Sequence, residues 1–138
     1  MDILELKEIM QNNGIVGAGG AGFPSYAKLN DGIDIIILNC AECEPLLKLH
    51  QQLLALKASD IVNALNLIAE IVGAKEVVIA TKECYAKTVE AVQEVIEARK
   101  FYAKTRISFL QYIQREMKSS LFMNLLEGLL SLVNCHYL

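Results

Sequence analysis

A chain of 138 residues with 54% hydrophobic and 21% charged side chains carries enough apolar material for one buried core, and its composition is not that of a disordered protein. A net charge of -3 without a basic stripe excludes the electrostatic footprint of a nucleic-acid binder. Met1 leads into Asp2, Glu5, Lys7 and Glu8, neither a basic nor an apolar leader, so the sequence predicts a cytoplasmic protein.

Ile3, Leu6, Ile9 and Met10 recur at helical spacing up to the stop signal Asn12-Asn13-Gly14, which predicts a short amphipathic helix. The run Gly17-Ala18-Gly19-Gly20-Ala21-Gly22 has almost no side chain and reads as a loop. Pro24 then suits the start of a short helix over 25–29, since a missing N–H is no loss there. Asp34 to Asn39 is a β-branched run bounded by turn residues, the pattern of a strand covered on both faces. After Cys40-Ala41-Glu42-Cys43-Glu44-Pro45, a helix is expected from Pro45, with Leu46, Leu49, Leu53 and Leu56 as its apolar stripe. Ser59 is expected to cap the next helix, which Gly73 ends.

Glu76 to Ala80 reads as a second buried strand. A further helix carries Tyr85, Val89, Val92 and Ile96, and Arg106 to Leu110 is a third strand. This order is that of an α/β layer, a mainly parallel sheet with flanking helices. From Gln111 to Leu138 turn signals are absent. The apolar stretch from Leu121 is interrupted by Asn124, Glu127 and Asn134, which with its short length argues against a membrane span.

Gly17-x-Gly19-x-x-Gly22 with Glu42 about twenty residues on matches a dinucleotide fingerprint on spacing alone. Its context does not match, because such a loop follows a buried strand and opens a long helix. A bare glycine backbone can still cradle a flavin or phosphate, although a purely structural loop has the same appearance. Cys40-x-x-Cys43 suits thiol redox chemistry or half a metal site. Neither Cys84 nor Cys135 has the local partners of a 4Fe-4S motif, so packing thiols, free in a reducing compartment, are expected and no metal ligand is assigned. His50, on a leucine-rich helix, is read as a surface or half-buried side chain.

Two ordered segments go further. Gly14-Ile15-Val16-Gly17-Ala18-Gly19-Gly20-Ala21-Gly22-Phe23-Pro24-Ser25-Tyr26-Ala27-Lys28-Leu29, followed after a strand by Asn39-Cys40-Ala41-Glu42-Cys43-Glu44-Pro45-Leu46-Leu47, resemble a family of flavin and iron-sulfur electron-transfer proteins. Its branches are the C subunit of the Rnf complex, the cobalamin reductase of propanediol utilisation, the proline-reductase-associated electron-transfer protein and, more distantly, the flavin subunit of respiratory complex I. Ala18 and Ala41 stand where the complex I branch has arginine and aspartate, and place the chain nearer the other branches. The resemblance covers residues 1–110, and implies the N-terminal part of an FMN- and NADH-binding domain.

It also implies that Gly17, Gly19, Gly20, Gly22 and Phe23 line FMN, with Lys28 beside it as a cation and Asn39 hydrogen-bonded to the ring or ribityl chain. Glu42 and Glu44 match paired carboxylates where nicotinamide meets flavin, Glu44 nearest the hydride path. Read from the residues alone, Lys28 also suits a solvated helix lysine, and Glu42 and Glu44 suit helix-start acids. The activity implied is NADH-linked electron transfer through FMN to iron-sulfur clusters in partner subunits, at a membrane complex or a microcompartment. The cluster motifs themselves are absent here. A stand-alone flavin or nucleotide carrier and a small thiol-redox protein are the alternatives.

Past the third strand the family continues with a stretch resembling Y-P-A-G-D-E, an apolar run, T-G-R and a proline-glycine turn. None of it appears in this chain. Tyr112-Ile113-Gln114-Arg115-Glu116-Met117-Lys118 can nevertheless be encoded by codons that, read two bases later, give Y-P-A-G-D-E. The same frame continues through Leu138 as V-I-L-I-Y-E-P-T-G-R-F-V-V-P-G-K-L-P-L-S. The segment 111–138 is therefore expected to be a frameshifted, non-native tail, and the chain an inactive or weakly flavin-binding fragment.

Overall fold

The computed structural model describes residues 1–17, 22–30, 32–41, 46–109 and 120–123, the last four by backbone alone. Helix α1 (Ile3–Asn12) opens the chain. The Asp2 carboxylate accepts the Glu5 N–H at 2.8 Å, which satisfies one of the orphan donors at a helix start, and the periodic Leu6 and Met10 are buried. A 3-10 turn (Ser25–Lys28) follows Pro24, then strand β1 (Ile35–Asn39). Helices α2 (Leu49–Leu56) and α3 (Ala58–Val72) come next, then strand β2 (Glu76–Thr81), helix α4 (Ala86–Ala98) and strand β3 (Lys104–Phe109). Ser120–Met123 forms a fourth strand, β4.

The strands form one sheet in the order β3-β2-β1-β4, and all three pairings are parallel. The two faces of β1 and β2 enter different clusters. Ile36, Leu38, Val77 and Ile79 join the larger one with Leu6 and Met10 of α1, Leu54 of α2, the apolar face of α3 and Val92 of α4. Ile37, Val78 and Ala80 form a smaller one on the opposite face. Burial on both faces is what the unbroken apolar run of β1 demands. Replacing Leu38, fully buried, by Ala is expected to cost about 2–5 kcal/mol, read from the midpoint of urea unfolding. Leu56→Ala, at a side chain 79% exposed, should change it by no more than about 0.5 kcal/mol.

The structure revises several boundaries. α2 starts at Leu49 and not at Pro45, and it buries Leu54, leaving Leu46, Leu47, Leu49 and Leu56 exposed. One reason is tertiary. The buried Thr88 hydroxyl donates to the Gln51 carbonyl at 3.0 Å, which holds α2 against α4 and sets which leucines face inward. Ser59 is not a cap: α3 begins at Ala58 with Lys57 in the cap position, two residues earlier than expected, because Lys57 also closes α2 by donating its N–H to the Leu53 carbonyl. Gly73 ends α3 as expected, with φ at +74°, a conformation that costs glycine no Cβ clash. β3 begins two residues before the expected start at Arg106, and Leu110 lies outside the described residues. β4 lies within the segment 111–138, for which the sequence predicts no element. A four-residue strand needs no cap, and β1 offers it an unpaired edge.

Candidate functional site

The glycine-rich loop is closed at its neck by backbone pairing. Gly17 N–H donates to the Phe23 carbonyl at 2.9 Å and Ser25 N–H to the Ile15 carbonyl at 3.1 Å, and Val16 and Pro24 form an antiparallel bridge. Ile15 and Leu29, on either side, are buried in the larger cluster together with Leu38 and Cys40, so the loop stems and the exit of β1 share one core. Gly22 has φ at +68°, where any side chain with a Cβ is strained. The loop follows α1 rather than a strand and leads into a 3-10 turn rather than a long helix. That arrangement excludes the Rossmann reading of its spacing.

Of the residues expected to line this loop, Gly17, Gly22, Phe23 and Lys28 are described, while Gly19 and Gly20 lie outside the described residues. Phe23 is 51% exposed, and the Lys28 ammonium stands 5.5 Å from its ring centroid, within reach of a cation–π contact. The structure thus brings Lys28 to the mouth of the loop. An aromatic face and a held cation beside a bare backbone suit a flat, anionic ligand.

Asn39 ends β1 at the carboxyl edge of the sheet. Its Oδ1 accepts the Ala41 N–H at 3.1 Å, so the amide orientation is set by the turn it starts. Cys40 N–H donates to the Ala80 carbonyl at 2.8 Å, carrying the ladder one step past the strand. After β1 the chain builds β2 and β3 on one side and returns to place β4 on the other. The order reverses between β1 and β4, and in open α/β sheets ligands gather in the crevice outside the carboxyl ends at that point. Glu42 and Glu44 come three and five positions after Asn39 but lie outside the described residues, as do Cys43 and Cys135.

Cys40 is buried and Cys84 exposed, and His50 is half-buried. No group of three metal-ligating side chains occurs among the described residues. Sequence reasoning passed over two buried hydroxyls, Ser25 Oγ and Thr81 Oγ1, which have no hydrogen-bond partner among the described residues, and the contact of Lys82 with the Tyr85 ring at 5.9 Å. Ser25 lies within the quoted glycine-loop segment and Tyr85 on the predicted helical stripe, but neither signal foretells a buried hydroxyl or the ring contact.

Residues 10–129 match the model of the Nuo51 FMN-binding domain. The chain belongs to that family. Among curated relatives, the cobalamin reductase PduS of Salmonella typhimurium is 41% identical over 92 residues, covering 67% of this chain and 20% of the relative. The C subunit of the Na+-translocating ferredoxin:NAD+ oxidoreductase complex of Acetobacterium woodii is 35% identical over 100 residues, 70% of this chain and 23% of the relative. The chain therefore spans about a fifth of the length of these relatives.

An NAD+-reducing NiFe hydrogenase in its air-oxidized state has the same fold, with a TM-score of 0.72 at 17% identity, over 96% of this chain and 30% of that one. The expected fold class holds, as does the resemblance on which the flavin expectation rested. FMN is the cofactor that the family's description names for this domain. No helix among the described residues is long and apolar enough to cross a membrane.

Proposed function

We propose that this chain is the N-terminal portion of an NADH-oxidising FMN domain that delivers electrons to iron-sulfur clusters, and that it is inactive, or only weakly flavin-binding, where its pocket is left incomplete. The observation that carries the reading is the closed glycine loop with Phe23 and Lys28 at its mouth, built on the same core as the exit of β1. The residues present fit FMN. Backbone that no side chain obstructs can approach the ring or phosphate closely, and Lys28 supplies a positive charge for an anionic group. With its Oδ1 engaged by Ala41, Asn39 offers its Nδ2 as a donor to a ring carbonyl or ribityl oxygen.

When bound, FMN supplies both two-electron and one-electron chemistry, and the protein's part is to position and tune it. In this reading Gly17, Gly19, Gly20, Gly22 and Phe23 hold the cofactor. Glu42 and Glu44 orient the nicotinamide above it. Redox partner subunits would receive the electrons, as the complex-subunit names of several relatives suggest, at a membrane complex or within a microcompartment. Titration of the purified 138-residue chain with FMN, followed by quenching of flavin fluorescence, tests the weak-binding part. Affinity equal to that of a full-length relative would overturn the view that the pocket is incomplete.

The two carboxylates have separable roles. In a chain with the family's downstream stretch restored, Glu44→Gln is expected to slow flavin reduction by NADH about tenfold or more while FMN stays bound, since it removes a charge near the hydride path without touching the glycine loop. Stopped-flow absorbance at the flavin band reads both quantities. Equal rates would leave Glu44 as a helix-start acid, and loss of FMN would make it a flavin ligand instead.

A further inference from the structure

The turn from β2 into α4 gathers hydrogen-bond donors that belong neither to the glycine loop nor to the segment of Glu42 and Glu44. Tyr85 occupies the cap position of the 13-residue α4, no side chain caps the helix, and its first turn has no acidic residue. Tyr85 N–H donates to the Lys82 carbonyl at 3.1 Å, and Thr88 and Val89 N–H both donate to the Tyr85 carbonyl at 3.0 Å. Between them the N–H groups of Ala86 and Lys87 have no acceptor among the described residues. These are orphan donors at the positive end of a helix dipole.

A second, independent observation points the same way. Thr81 is 1% exposed and its Oγ1 has no partner among the described residues. Val77 and Ile79 belong to the cluster that includes Val92 of α4, whereas Val78 and Ala80 belong to the opposite one. Alternation along β2 therefore puts the Thr81 side chain on the sheet face that the helices, α4 among them, cover, at the strand end from which the chain enters α4. Lys82, half-buried, holds its ammonium 5.9 Å from the Tyr85 ring centroid. Within this turn the one carboxylate is that of Glu83, which is exposed.

We propose that the β2–α4 turn is an oxyanion site that takes a phosphate group, separate from the glycine loop. The N–H groups of Ala86 and Lys87 and the Thr81 hydroxyl donate to the phosphate oxygens, and Lys82 supplies the countercharge. When the phosphate belongs to a nucleotide, the face of Tyr85 stacks on the base. Because the Thr81 hydroxyl is enclosed, phosphate reaches it by displacing the Glu83–Cys84 turn.

Titration of the isotopically labelled 138-residue chain with inorganic phosphate, followed by amide chemical shifts, tests the site. Saturable shifts are expected at Ala86 and Lys87, with smaller ones at Glu83 and Cys84. Lys82→Gln should weaken binding about tenfold and Thr81→Val about fivefold, with Thr81→Ser restoring it. In a parallel titration, adenosine monophosphate binding more tightly than phosphate, with the difference lost in Tyr85→Leu, assigns the site to nucleotides. Equal affinities assign it to free phosphate. Absence of saturable shifts at Ala86 and Lys87, or unchanged affinity in Lys82→Gln, overturns the proposal. No flavin enters the measurement, so its outcome is independent of the reading of the glycine loop.

Discussion

Inserting one base, or deleting two, between the codons of Leu110 and Tyr112 is expected to turn the chain into a stable yellow protein. A frame offset of two bases is undone by either change. The segment after β3 would then read Y-P-A-G-D-E followed by V-I-L-I-Y and T-G-R, the elements that complete the flavin and NADH pocket in the resembling family. The nucleotide sequence decides the first part: scattered stops and no family motif in the second frame would remove the frameshift reading.

Flavin absorbance after desalting decides the second part. A repaired chain that folds but stays colourless would show that the missing stretch is not what limits binding. The sheet geometry accommodates either frame. Ser120–Met123 pairs with β1 in parallel register from Ile35↔Ser120 to Leu38↔Met123, and the alternative frame places L-I-Y-E over those four positions. Short, mostly apolar and paired on one edge, both sequences meet the weak demands of a peripheral strand.

Gly19→Val in the repaired chain should abolish FMN binding, a loss of at least about a hundredfold in affinity, because a branched side chain would fill the space through which the backbone meets the cofactor. Desalted protein would lose its flavin band. Its thermal midpoint without cofactor should stay close to that of the parent, since the Gly17–Phe23 and Ile15–Ser25 backbone pairs close the neck of the loop. Gly22→Ala, by contrast, is expected to lower that midpoint, because at φ of +68° an added Cβ costs about 1–2 kcal/mol of stability. Retained FMN in Gly19→Val would return the loop to a structural role.

Periodicity and punctuation were enough for the elements of this protein that depend on local sequence. The spacing of Leu6 and Met10, the β-branched run 35–37 and the left-handed Gly73 each act through neighbours a few residues away, and α1, β1 and the end of α3 lie where those signals put them. The paired motifs around the glycine loop and Asn39 were legible as a family resemblance for a related reason: each is a short run whose order of residues alone carries the signal. Side-chain facing on α2 was not legible, because leucines 46, 49, 53 and 56 satisfy helical spacing equally well in either orientation. The Thr88 bond to the Gln51 carbonyl, across 37 positions, comes from another element. Strand order was equally hidden. No local preference records that the chain returns to the far side of β1, yet that return places the switch point, and so the proposed crevice, beside Asn39. The buried hydroxyl of Thr81 and the Lys82–Tyr85 contact likewise exist only once β2 and α4 are packed, since burial is a property of the assembled layers and not of the residues that enter them.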